Sequence, residues 1–106
     1  GAIVEPCARS GEDGILRAGA VLSHDAELGE HCFVAPRALI GGRVAVGDHC
    51  FVGAGSTIAN GLRVASRCFV AAGAVVTTDT RPDGIYRGNP ARRSPVGVDG
   101  FRKLNK

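Results

Sequence analysis

The sequence predicts a parallel β-helix, a solenoid of short strands, and two periodicities predict it. The runs His31-Cys32-Phe33-Val34, His49-Cys50-Phe51-Val52 and Arg67-Cys68-Phe69-Val70 follow one another at 18-residue intervals. Beneath that period lies a six-residue rhythm of aliphatic side chains: Val4, Leu16, Leu22, Leu28, Val34, Ile40, Val46, Val52, Ile58, Val64, Val70 and Val76, interrupted only by Ser10. Four residues after these positions stands a small or modest side chain, among them Ala20, Ala26, Cys32, Ala38, Cys50, Ser56, Cys68 and Ala74. A helical period of 3.6 residues yields no such pattern.

Strand alternation converts the rhythm into geometry. Cys32 and Val34 point inward while Phe33 points outward. Each hexapeptide then supplies one strand and one turn, and three hexapeptides close a triangular coil. Residues 3–80 make a little over four coils, stacked about 4.8 Å apart. Outward residues fall into three columns: Ile15, Phe33, Phe51 and Phe69 on one side; Val21, Leu39, Thr57 and Val75 on the second; Arg9, Glu27, Ala45, Arg63 and Arg81 on a charged third. The repeats define a domain over 1–93, followed by a basic tail over 94–106 that is expected to be irregular.

Composition sets further bounds. The 106 residues carry a net charge of +3, with no Trp and no Met. The basic surplus sits late, at Arg81, Arg87, Arg92, Arg93, Arg102, Lys103 and Lys106. It suits an anionic small molecule, and without aromatic-basic interleaving it gives no support to a nucleic-acid interface. No apolar run is long enough to cross a membrane, and no leader pattern precedes the repeats. Of the four cysteines, Cys32, Cys50 and Cys68 share the inward small position of successive coils, and Cys7 stands in a turn. There is no CxxC pair, so core packing in a reducing cytoplasm is expected, with no metal.

The apolar outer ladders predict an interface. Phe33, Phe51 and Phe69 on one side and Val21, Leu39 and Val75 on the next are joined by turns of mostly small residues, such as Gly53-Ala54-Gly55. A homotrimer buries such ladders around a triangular prism. Chemistry must then sit on turns. His31 and His49 lie at a corner rich in acids and bases and read as solvated. His24 occupies Ser23-His24-Asp25, one coil beneath Gly41-Gly42-Arg43. A histidine beside an acid under a glycine pair fits a general base below an oxyanion site, while periodicity alone slightly favours a decorated surface turn. The glycine pair likewise suits a tight turn.

The stretch Gly19–Asp25 through Gly41–Asp48 resembles the hexapeptide acetyltransferases that act on sugars, nearest the sialic-acid O-acetyltransferase and nucleotide-linked amino-sugar N-acetyltransferase group. Ala54-Gly55-Ser56-Thr57-Ile58, Ala72-Gly73-Ala74-Val75-Val76-Thr77 and the closing Gly88-Asn89-Pro90-Ala91-Arg92 carry the same likeness, which spans residues 2–93. The resemblance implies a left-handed coil, acetyl-CoA as co-substrate, and direct attack of an acceptor on the thioester. It assigns His24 as general base, Asp25 as the acid that follows the base, and the Gly42 amide as a contact to the thioester. The corner column Gly42, Asn60, Gly61 and Thr78 is then the expected track of the CoA arm, with Arg92 and Arg93 near its phosphates.

Two departures stand out. The small N-terminal α/β domain that grips the nucleotide-sugar in this group is not expected here, so the chain reads as an excised domain or a short paralogue. Phe33 stands where some members carry a second histidine. Two other readings stay open: a non-catalytic trimeric scaffold, and a metal enzyme like the γ-class carbonic anhydrases. The latter carry an H-x4-H pair, whereas the histidines here are spaced by 7 and 18.

Overall fold

A computed structural model describes residues 1–98. It contains fifteen short strands. β1 (Ile3–Val4), β4 (Val21–Leu22), β7 (Leu39–Ile40), β10 (Thr57–Ile58) and β13 (Val75–Val76) stack as one parallel sheet, here side A. β2 (Arg9–Ser10), β5 (Glu27–Leu28), β8 (Ala45–Val46) and β11 (Arg63–Val64) form side B. β3 (Ile15–Leu16), β6 (Phe33–Val34), β9 (Phe51–Val52), β12 (Phe69–Val70) and β14 (Ile85–Arg87) form side C. Register is the 18-residue period itself: Val21 pairs Leu39, Glu27 pairs Ala45, and Phe33 pairs Phe51. Residues 3–80 hold a little over four coils, with β13 still in register on β10, and β14 extends side C toward a fifth at an offset of sixteen residues from β12.

Turn chemistry explains the six-residue unit. The second residue of each turn has positive φ at positions 7, 13, 19, 25, 31, 37, 43, 49, 55, 61, 67 and 73 without a gap. Eight of these twelve are not glycine. Left-handed backbone is unfavourable for such residues, so stacking of the coils holds the turns in place. The period ends there: Asp79 lacks the positive φ, and Ile85 pairs Phe69 sixteen residues away. Arg81 therefore does not join the charged column. It lies outside side B, its backbone N–H donating to Tyr86 Oη at 2.7 Å.

The core is the expected double column. Leu22, Val34, Ile40, Val52, Ile58 and Val70 are fully buried beside Ala20, Ala38 and Ala74. Cys32, Cys50 and Cys68 are buried thiols, while Cys7 is exposed. Each buried sulfur donates to a carbonyl of the next coil at 3.1 Å: Gly47, Ala65 and Arg81 respectively. The neighbouring Cys32 thiol and burial push the Cys50 thiol upward, so it stays protonated. Ser56, the buried hydroxyl in the column, donates to Gly53 O at 2.7 Å.

The upper end is closed. Tyr86 fills the inward position above Val70, and β15 (Arg92–Arg93) folds back antiparallel on β14. The Gly88–Ala91 turn caps β13: Val75 N–H donates to Gly88 O, and Ala91 N–H donates to Val75 O. The tail expected over 94–106 is described only to Val98, whose N–H donates to Asp83 O; Arg102, Lys103 and Lys106 lie outside the described residues.

Candidate functional site

The corner between sides A and B stacks five turns: Pro6-Cys7, His24-Asp25, Gly42-Arg43, Asn60-Gly61 and Thr78-Asp79. A side chain or carbonyl of one coil meets the amide of the next. Arg43 N–H donates to His24 O at 3.0 Å, and Gly61 N–H donates to Gly42 O at 2.9 Å. These bonds place the His24 turn directly beneath the Gly42 turn.

The placement is close. A Cβ on Gly42 would stand 2.6 Å from His24 Nε2 and 2.7 Å from Cε1. The imidazole thus packs over the Gly42 backbone in space that only glycine leaves open. Its other nitrogen, Nδ1, lies 3.4 Å from Asp25 Oδ2. With the proton on Nδ1 facing the carboxylate, Nε2 keeps its lone pair beside Gly42. Both side chains remain about half exposed, at 52% and 57%.

Two further side chains hold this pair in place. Glu5 Oε1 accepts the His24 backbone N–H at 3.0 Å. Elsewhere the cap comes from the coil above: Asp48 Oδ1 accepts Glu30 N–H, Ser66 Oγ accepts Asp48 N–H, and Asn60 Oδ1 accepts Gly42 N–H. Gly42 has no side chain to reach down to His24, so Glu5 reaches up. Sequence reasoning missed Glu5. Its signal was present: in the column Glu5, Ser23, Gly41, Ala59, Thr77 it is the one long side chain. The second partner, Asn60, holds the Gly42 N–H at 2.8 Å.

Of the sequence-predicted residues, His24, Asp25, Gly42, Asn60 and Gly61 converge at this corner. Thr78 lies at its upper end, in a bend that no longer repeats the turn. Arg92 and Arg93 sit in β15 on side C. Arg93 Nη2 donates to Pro82 O at 3.2 Å, with its guanidinium 6.0 Å from the Tyr86 ring centre; Arg92 is exposed. His31 and His49 occupy the B–C corner as stacked rings 5.0 Å apart, with His31 Nδ1 3.1 Å from Asp13 Oδ2. Among the described residues no group of three or more His, Cys, Asp and Glu is arranged to hold a metal ion.

Outer faces carry the expected ladders. Phe33, Phe51 and Phe69 stack face to face, with ring centres 5.3 and 4.7 Å apart and planes within 9°. Leu39 is 38% exposed on side A. No helix among the described residues is long and apolar enough to cross a membrane.

Fold, register and repeat chemistry define a parallel β-helix built of hexapeptide repeats. Residues 43–78 match the family described as the hexapeptide repeat of succinyl-transferase. Solved acetyltransferase structures share the architecture. A mutant of perosamine N-acetyltransferase from Caulobacter crescentus, in complex with CoA and GDP-perosamine, superposes with a TM-score of 0.68 at 26% identity. That match covers 88% of this chain and 53% of the enzyme. Neisseria gonorrhoeae serine acetyltransferase gives a TM-score of 0.82 at 29% identity, over 86% of this chain and 40% of its own. Maltose O-acetyltransferase from Clostridium difficile, at 22% identity, shares the fold with a TM-score of 0.69, over 89% of this chain and 65% of its own. No curated protein sequence gives a match. The chain thus spans about half the length of the perosamine enzyme.

Proposed function

We propose that this chain is an acetyl-CoA-dependent acetyltransferase, or the catalytic domain of one, acting on an amino or hydroxyl group of a sugar or nucleotide-linked sugar. One observation carries the reading: His24 is held between Asp25 and a glycine whose missing side chain makes room for Nε2. A surface histidine needs no such accommodation. In support, the perosamine N-acetyltransferase structure that this chain resembles holds CoA and a nucleotide-sugar.

In the proposed reaction the acceptor nitrogen or oxygen attacks the thioester carbonyl while His24 Nε2 takes its proton. Asp25 holds the Nδ1 tautomer and stabilises the imidazolium. The new bond to carbon is matched by cleavage of the carbon–sulfur bond, and the departing CoA sulfur takes the proton back from His24. An amide N–H from Gly42 facing the carbonyl oxygen would stabilise the tetrahedral intermediate. Asn60, Gly61 and Thr78 line the proposed track of the pantetheine arm, and exposed Arg92 is the freer candidate for the phosphates. Arg93 is partly committed to Pro82 and Tyr86. We place the CoA groove between copies in a homotrimer closed by the Phe33, Phe51 and Phe69 ladder and by Val21, Leu39 and Val75. Three buried thiols suit a reducing, cytoplasmic setting.

A non-catalytic trimeric scaffold is favoured by one observation: the Gly42 N–H already has its partner in Asn60. Calorimetric titration of acetyl-CoA into wild type and Gly42→Val, followed by an amino-sugar acceptor screen, decides between them. Saturable binding lost in the variant, with acetyl transfer to one acceptor, is the expected result. Absence of saturable binding to wild type removes the enzyme reading.

A further inference from the structure

We infer that the Asn60 side chain is a displaceable latch on the Gly42 amide, competing with the thioester carbonyl and so tempering the site's preference for acetyl-CoA over CoA. The inference rests on the acetyltransferase reading. Its ground is a conflict within the structure. Gly42 is buried, its Cα face is covered by the His24 ring, and its N–H donates to Asn60 Oδ1 at 2.8 Å. A thioester oxygen reaches that N–H only by taking the place of Oδ1. Inter-coil caps are common in this fold, yet this one differs from its neighbours. Asp48 and Ser66 hold amides at the B–C corner, away from His24, whereas Asn60 holds the amide beside the base.

Asn60 is also suited to moving. It is exposed, and no second contact holds its carboxamide among the bonds described. Once Oδ1 is released, the carboxamide offers both a donor and an acceptor to the amides of a pantetheine arm. The exchange swaps one neutral hydrogen bond for another, so its net free energy is small. In the unliganded protein the latch satisfies a buried N–H that would otherwise go unpaired.

Only the acetylated form carries the competing carbonyl, which gives the test. Dissociation constants for acetyl-CoA and for CoA are measured by calorimetry on wild type, Asn60→Ala and Asn60→Ser, with thermal melts alongside. Serine keeps a cap, as Ser66 does for Asp48, so it guards against loss of the fold. In Asn60→Ala the preference for acetyl-CoA over CoA should rise about three- to tenfold, the range of one hydrogen bond. In Asn60→Ser it should stay near wild type. An unchanged ratio in Asn60→Ala, with CoA still bound, overturns the latch and leaves the acetyltransferase reading standing. Failure of wild type to bind either ligand overturns both. If Asn60→Ala does not fold, a ratio in Asn60→Ser shifted as far as that expected for alanine also overturns the latch.

Discussion

Glycine 42 shows how a missing side chain sets the position of another. Any Cβ there meets the imidazole at 2.6 Å, and the ring is the softer partner because the Gly42 backbone is tied by two bonds to the coil above and through Arg43 N–H to the coil below. Gly42→Ala should therefore rotate His24 off its seat while the strands stay intact. Displacement of a base by about 1 Å costs on the order of 10²-fold in rate. With an acceptor from the screen in hand, kcat/KM should fall by that order while circular dichroism is unchanged. A wild-type rate would show that the ring position carries no chemistry. Cysteine reactivity is a second test at this scale. Cys7 is exposed and the other three thiols are buried. A thiol reagent should titrate one group in the native protein and four after denaturation; two or more native groups would contradict the inward column.

Between residue and coil, the informative unit is the turn. Arg37 has φ 63° and an exposed side chain. Arg37→Gly should raise stability by about 0.5–1 kcal/mol, the relief of left-handed backbone less the greater freedom of glycine when unfolded. Gly55→Ala is the mirror experiment: φ is 65° and a Cβ meets nothing within 4 Å, so only backbone strain is added. Urea midpoints moving in opposite directions would confirm that strain; parallel shifts would refute it. The Arg67–Asp83 pair closes the B–C corner at the top, with Nε donating to Oδ1 at 2.6 Å. Arg67 holds the Asp83 carboxyl below the ordinary aspartate value of 3.8. A depressed carboxyl stabilises the fold above its unfolded value, and that contribution is lost as pH falls through the lowered folded value. The stability gap between wild type and Arg67→Gln should then be widest near neutrality and narrow in acid. A gap independent of pH would exclude the ion pair as its cause.

The same turns explain what could be read without coordinates. Strand positions, register and the cysteine column followed from a fixed period, since one side chain in two must face inward and every coil repeats the last. The convergence of His24 with Gly42 followed for the same reason. Glu5 escaped because its bond runs upward, against the direction of the other side-chain caps, and the period carries no sense of direction. The Asn60 bond escaped because an exposed carboxamide can turn either to solvent or to the neighbouring amide. Arg81 was misplaced where the repeat shortens by two residues between Phe69 and Ile85. Deletions of that kind leave no trace until strand pairing is known.

At the scale of the molecule, the two ends of the solenoid differ. Tyr86, β15 and the Gly88–Ala91 turn cover the last coil, and the side chains of Asp79 and Thr80 cap the amides of Arg63 and Ala65 on side B. In the first coil Ile3, Val4 and Ile15 are 55%, 53% and 47% exposed. Because each coil contacts mainly its neighbours, stability is a sum of local terms. Hydrogen exchange should be fastest in β1–β3 and slowest in β7–β12. The half-buried outer ladders add a term that one copy of the chain leaves unused. A contiguous apolar face of stacked phenylalanines is costly in water, and Phe51 is its middle rung, in contact on both sides with its neighbours. Phe51→Lys leaves the core untouched, since the side chain points outward, but places a charge at the centre of the proposed contact. Light scattering should show the trimer replaced by monomer. Acetyl-CoA binding should disappear with it, because the proposed groove is built from two copies. A monomer that still binds acetyl-CoA would place the whole site within one chain and remove the intersubunit groove, while a variant that remains trimeric would move the interface off side C.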